Sequence, residues 1–70
     1  MNPTFEINGY VIVLHWVRNV YPVEKGNVGW EFGFKFTDGF YETFSFSTES
    51  EARKTRAKLI ASIDLHWGRP

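Results

Sequence analysis

The chain alternates apolar and polar residues most regularly in Trp30-Glu31-Phe32-Gly33-Phe34-Lys35-Phe36, where a ring occupies every second position. A two-residue period puts successive side chains on opposite sides of a strand, so the pattern predicts a strand from Val28 to Phe36 with one aromatic face. Upstream, Asn8-Gly9 separates two apolar runs, and this pair readily adopts the positive φ angles of a two-residue hairpin turn. It predicts a short strand from Thr4 to Ile7 and a long one from Tyr10 to Arg18. Pro22 and Gly26 interrupt the alternation, and residues 19 to 27 read as a connecting loop.

After Phe36 the sequence permits two turns. A two-residue loop at Asp38-Gly39 would send Phe44 and Phe46 to the face away from Phe32 and Phe34. A three-residue loop, Thr37-Asp38-Gly39 with Gly39 left-handed, pairs Phe36 with Phe40, Phe32 with Phe44 and Trp30 with Phe46. The second gathers the rings on one face and is the expected register. It also aims Glu42 inward, opposite Phe34.

The last third of the chain reads as a helix. Thr48 and Glu51 have capping-box spacing: the Glu51 amide would donate to Thr48, and the Glu51 carboxylate would accept from the Thr48 amide. Gly68 is a natural left-handed terminator. Ala52, Leu59, Ile60, Ile63 and Trp67 fall on one side at helical spacing, and such a stripe needs a sheet to cover. The aromatic face is the one of sufficient size. The predicted fold is therefore α+β, an antiparallel meander of three to four strands with one C-terminal helix on its aromatic face, forming a single domain over residues 1–70. Arg56 lies within the same stripe, so Glu42 and Arg56, both aimed inward, are expected to form an ion pair.

Composition sharpens this picture. A 70-residue chain buries only about 60–65% of its unfolded surface, and a core of that size yields about 3–5 kcal/mol. Three Trp, three Tyr and seven Phe compensate, since each ring buries about 150–250 Å². There is no cysteine, hence no disulfide, thiolate zinc site or thiol catalysis, and the composition suits a reducing compartment such as the cytoplasm. No basic stretch followed by an apolar one opens the sequence, and the apolar run from Tyr10 to Val17 is too short to cross a bilayer, so a soluble chain is expected. Eight Lys plus Arg balance eight Asp plus Glu, so no overall field draws the protein to nucleic acid or anionic lipid.

The chemical signals are sparse. His15 and His66 lack the spacing of a metal-ligand set, and no metal or other cofactor is expected. Acid–base catalysis needs paired groups in a cleft, whereas Glu42 is the one carboxylate with an expected buried setting. A domain this small has little room for a pocket of about 300 Å³. Glycine-rich phosphate loops and nucleophile elbows are absent from the sequence. A non-enzymatic protein with no evident small-molecule substrate is the expectation.

Phe32-Gly33-Phe34 with Lys35-Phe36 resembles the aromatic RNA-contacting strand of the RNA-recognition motif and of cold-shock domains, where alternating rings stack on bases, over about six residues. It departs from that strand in having Glu31 before Phe32, no leading basic-Gly pair, and one residue too few before the final aromatic. Lys35 is the single cation in the two paired strands. The rings are accordingly expected in the core.

A binding surface is expected elsewhere. On a continuous strand Val11, Val13, His15 and Val17 oppose Ile12, Leu14 and Trp16, so both faces are apolar, whereas a sheet covered on one side should alternate with polar residues. With Tyr41, Gly29 and Gly33 on the same open face, this surface has the character of an interface. In size and layout the chain resembles short bacterial and phage accessory proteins. The sequence thus predicts a protein-interaction module, self-associating as a homodimer or docking a protein partner through Val11, Val13, His15, Val17 and Tyr41. The alternative is single-stranded nucleic-acid binding, with Lys35, Arg53, Lys54 and Lys58 meeting phosphate from the open sheet face or the basic helix face.

Overall fold

The structure, a computed structural model, describes residues 3–66. Strands β1 (Thr4–Ile7) and β2 (Tyr10–Val13) form an antiparallel hairpin in which Ile7 faces Tyr10 and Thr4 faces Val13. Its turn is Asn8-Gly9, with φ values of 52° and 87°. Both central residues are left-handed, as the sequence pair suggested.

The long second strand does not form. The chain leaves β2 in a 3-10 turn at Leu14–Trp16 and then enters β3 (Val17–Val20) in a different sheet. The Leu14 amide donates to the Pro3 carbonyl at 3.1 Å, and the Trp16 carbonyl accepts from the Thr37 amide at 2.8 Å. The turn therefore hands the chain from the first hairpin to the second sheet. It also resolves the two-sided apolar pattern. On an unbroken strand Val17 would oppose Ile12 and Leu14, but the tighter winding of the turn resets the alternation, and all three enter one core.

The larger sheet is built around β5 (Trp30–Phe36). On one side lie β3 and the two-residue β4 (Glu24–Lys25), paired with opposite ends of β5. Between them comes Pro22, which has no amide hydrogen to give the ladder; the preceding Tyr21 amide still reaches the Gly33 carbonyl at 2.8 Å. Part of the expected loop is thus a strand, closed onto β5 by a turn in which the Gly26 amide donates to the Gly29 carbonyl at 2.7 Å. On the other side β6 (Tyr41–Phe46) follows the expected register, Phe32 facing Phe44 and Trp30 facing Phe46. Gly39 takes φ 95°, its amide donates to the Phe36 carbonyl, and the Asp38 carboxylate accepts from the Phe40 amide at 3.0 Å.

Helix α1 (Glu49–His66) lies across the aromatic face. The Glu51 amide donates to Thr48 Oγ1 at 3.2 Å, half of the expected capping box. The other half differs. Glu51 Oε1 accepts from the hydroxyls of Ser47, at 2.8 Å, and Thr48, at 3.3 Å. Ala52 and Leu59 are fully buried beneath the helix, with Ile60 and Ile63 half-buried beside them. Trp67 and the expected terminator Gly68 lie outside the described residues.

The roof over the rings is shared. Ile7 and Ile12 of the first hairpin join Leu14, Val17, Phe32, Phe34, Phe44 and Leu59 in one buried cluster. Within it Phe34 stacks on Phe44 with centroids 5.7 Å apart, and Phe32 stacks on Phe46 at the same distance. The chain is thus an α+β fold with antiparallel sheets of two and four strands and one C-terminal helix. The middle of its aromatic strand, Phe32 and Phe34, is interior.

Candidate functional site

The row of rings is longer than its roof. Phe32 and Phe34 are buried at the middle of β5, whereas Phe36 is half-buried and Phe40, just past the turn, is 72% exposed. At this end the 3-10 turn and β2 form a second wall. The Thr37–Trp16 backbone hydrogen bond fixes the two walls against each other.

Between them runs a groove of about 500 Å³, lined by Val11, Ile12, Val13, Trp16, Phe36 and Phe40, with Thr37 and Asp38 at the turn. It exceeds the space expected of so short a chain because the hairpin and the β5–β6 turn splay apart at the surface. Val11 is 67% and Trp16 52% exposed at its rim. Asp38 is its one charged residue, and that carboxylate already holds the Phe40 amide. Such a lining offers no acid–base pair, but it can take apolar side chains from water at about 25 cal/mol per Å² of apolar surface buried.

The five residues expected to share one interface fall in four places. Val11 and Val13 line the groove. Val17, 5% exposed, is in the core, because the 3-10 turn inverted its direction. His15 sits in that turn beside His66 of α1, its Nδ1 3.4 Å from His66 Nε2. Tyr41 lies on the opposite face of the large sheet, its ring over Gly33 and 5.4 Å from the ring of Tyr21. A Cβ at Gly33 would stand 2.8 Å from the Tyr41 hydroxyl and 2.7 Å from the Glu42 carbonyl, so that supposedly flat patch is already covered by a ring. Trp16, Phe36 and Phe40 were missed as surface candidates. The signal available for Phe40 was its place at the far end of a ring row that one helix could not span.

The cations are dispersed. Lys35 alternates with the buried rings and so stands on the sheet face turned away from the helix. Arg53 is bound to Glu49, its Nη2 2.7 Å from the carboxylate, while Lys54 and Lys58 are exposed on α1. The expected Glu42–Arg56 pair does not form. Arg56 Nε donates to the Tyr21 carbonyl at 2.8 Å, and Glu42, on an edge strand beyond the reach of the roof, is exposed to water. Hydration removes its need for a partner.

Among the described residues no group of three or more His, Cys, Asp or Glu could hold a metal ion, and no helix is long and apolar enough to cross a membrane. Compared with protein-family models, curated proteins and solved structures, the chain has no significant match.

Proposed function

We propose that this chain is a small non-enzymatic interaction module of the accessory type, and that it self-associates through the groove between β2 and the β5–β6 turn. The observation that carries the reading is the adjacency of an apolar cleft and an outstanding ring: Phe40 protrudes at the edge of the groove that it helps to line. In a twofold arrangement each copy's Phe40 enters the other's groove, the self-complementarity that an isologous dimer needs. Zero formal net charge adds no long-range repulsion between copies. The cysteine-free composition supports a reducing, cytoplasmic setting.

The expected dimer is weak. A standard interface takes about 800 Å² from each partner, about a sixth of the 5029 Å² surface, which is more than the groove alone supplies. Sedimentation of the parent and of Phe40→Asp tests the reading. The parent should gain mass with concentration and the variant should stay monomeric. A parent that is monomeric at every concentration overturns it, and retention on single-stranded nucleic acid that falls steeply with salt would favour phosphate contacts at Lys54 and Lys58 instead.

A further inference from the structure

We infer that the free edge of β6 takes up an extended, basic segment of a partner protein as a further antiparallel strand of the large sheet. Bonded and non-bonded residue pairs alternate along an antiparallel ladder. The Phe36 amide donates to the Phe40 carbonyl, so in the same register the bonded pairs are Phe34 with Glu42, Phe32 with Phe44 and Trp30 with Phe46. The amides and carbonyls of Tyr41, Thr43 and Ser45 therefore point away from β5. Among the described residues only the Ser45 carbonyl meets a donor there, Asn8 Nδ2 at 3.4 Å. The backbone of Tyr41 and Thr43 is open to a new strand.

The opposite edge of this sheet is blunted. β4 has two residues, and β3 carries a register shift between Val17 and Asn19, with Pro22 following close behind. Short, bulged or proline-flanked edges resist a further strand. β6 has six residues, none of them Pro, Gly or Lys, and pairs with β5 without a bulge.

The charge on this edge selects the occupant. Glu42 is the one charged residue of β6, is exposed, and makes no ion pair among the described residues. A Lys or Arg directly across from it gains a favourable cross-strand pair, and the 54%-exposed Tyr41 offers its ring to a β-branched neighbour. A second copy of β6 fits poorly. A twofold pairing centred on Glu42 sets two carboxylates face to face, one centred on Tyr41 runs into the turn after a single bonded pair, and those that reach Ser45 meet Asn8. The segment therefore belongs to another protein, and it reads β-branched, basic, β-branched opposite Thr43, Glu42 and Tyr41. In this mode main-chain bonds supply affinity and alternate side chains supply specificity. The groove uses none of these three residues, so the surface is separate from it.

The test uses the whole chain and a capped peptide, Thr-Val-Lys-Val-Thr, followed through backbone amide resonances and their hydrogen exchange. Millimolar peptide should shift the Tyr41 and Thr43 amides and slow their exchange. The same peptide N-methylated at both valines should have no effect, and one with Glu for Lys should bind about three- to tenfold more weakly. Glu42→Lys should reverse that preference. Thr43→Pro loses an amide that faces outward, which an edge strand tolerates; it should fold and no longer bind the peptide. No response of either amide, an equal response to the N-methylated peptide, or unchanged binding by Thr43→Pro overturns the inference. So does protection of both amides that rises with protein concentration in the absence of peptide, which would make a second copy the occupant.

Discussion

Arg56→Met separates two accounts of a charge placed against the core. In the structure the guanidinium serves the backbone: Nε donates to the Tyr21 carbonyl at 2.8 Å from a partly buried position. Met keeps most of the aliphatic stem against the helix–sheet contact, so the change mainly removes a charged hydrogen bond. Such bonds contribute about 1.5–3 kcal/mol, and partial exposure brings the expected loss to about 1–2 kcal/mol. For a domain stable by about 3–5 kcal/mol, at about 4–8 °C per kcal/mol, the melting temperature should fall by roughly 5–15 °C. Arg56→Lys should recover part of it, because an ammonium can reach the same oxygen with poorer geometry. Glu42→Gln, exposed on the edge strand, should change stability by less than about 0.5 kcal/mol. The double variant should then equal the sum of the two. Urea unfolding of the parent and the four variants decides the matter. A coupling above about 1 kcal/mol between Glu42 and Arg56, or an Arg56→Met variant as stable as the parent, would refute the reasoning.

Phe32→Ala removes a ring stacked on Phe46 in the core and should cost about 3–5 kcal/mol, leaving little folded protein by circular dichroism at room temperature. A variant with an unchanged melting temperature would contradict an interior role. Val17→Asp and Val11→Asp should behave oppositely, although an unbroken strand would put both on one face. The first buries a charge and should unfold the domain, whereas the second should leave the melting temperature within a few degrees and lower the sedimentation mass; equal destabilisation would contradict the 3-10 turn.

What could be read from sequence was what offered contrast. In residues 30 to 46 polar and aromatic positions alternate, so one register gathers the rings and the other splits them, and the three-residue turn followed. Asn8-Gly9 and Thr48 were legible because each carries its own local hydrogen-bonding or φ preference. From Tyr10 to Val17 nearly every side chain is apolar, so alternation says nothing about which face is inside. No Gly or Pro marks the break at Leu14. The groove depends on that break, since Val11 and Trp16 meet Phe40 only after the chain has changed sheets. Glu42 was misjudged for another reason: the register gave its direction correctly, but not how far the roof extends toward the edge strand. The histidine pair joins a turn the sequence did not reveal to the end of a helix, and no local spacing could signal it.

The central place of β5 sets an order of release from the native state. Its backbone is bonded by β3 and β4 along one side and by β6 along the other, and the helix lies over its rings. Its amides can meet solvent only when the whole domain comes apart. The first hairpin bonds chiefly to itself, and a lone two-stranded ribbon is at best marginally stable in water. It can lift away with the loss of Ile7 and Ile12 from the core while the β5 ladder stays intact. Under native conditions the amides paired between β1 and β2 should therefore exchange deuterium through this smaller opening, well ahead of those of Phe32 and Phe34.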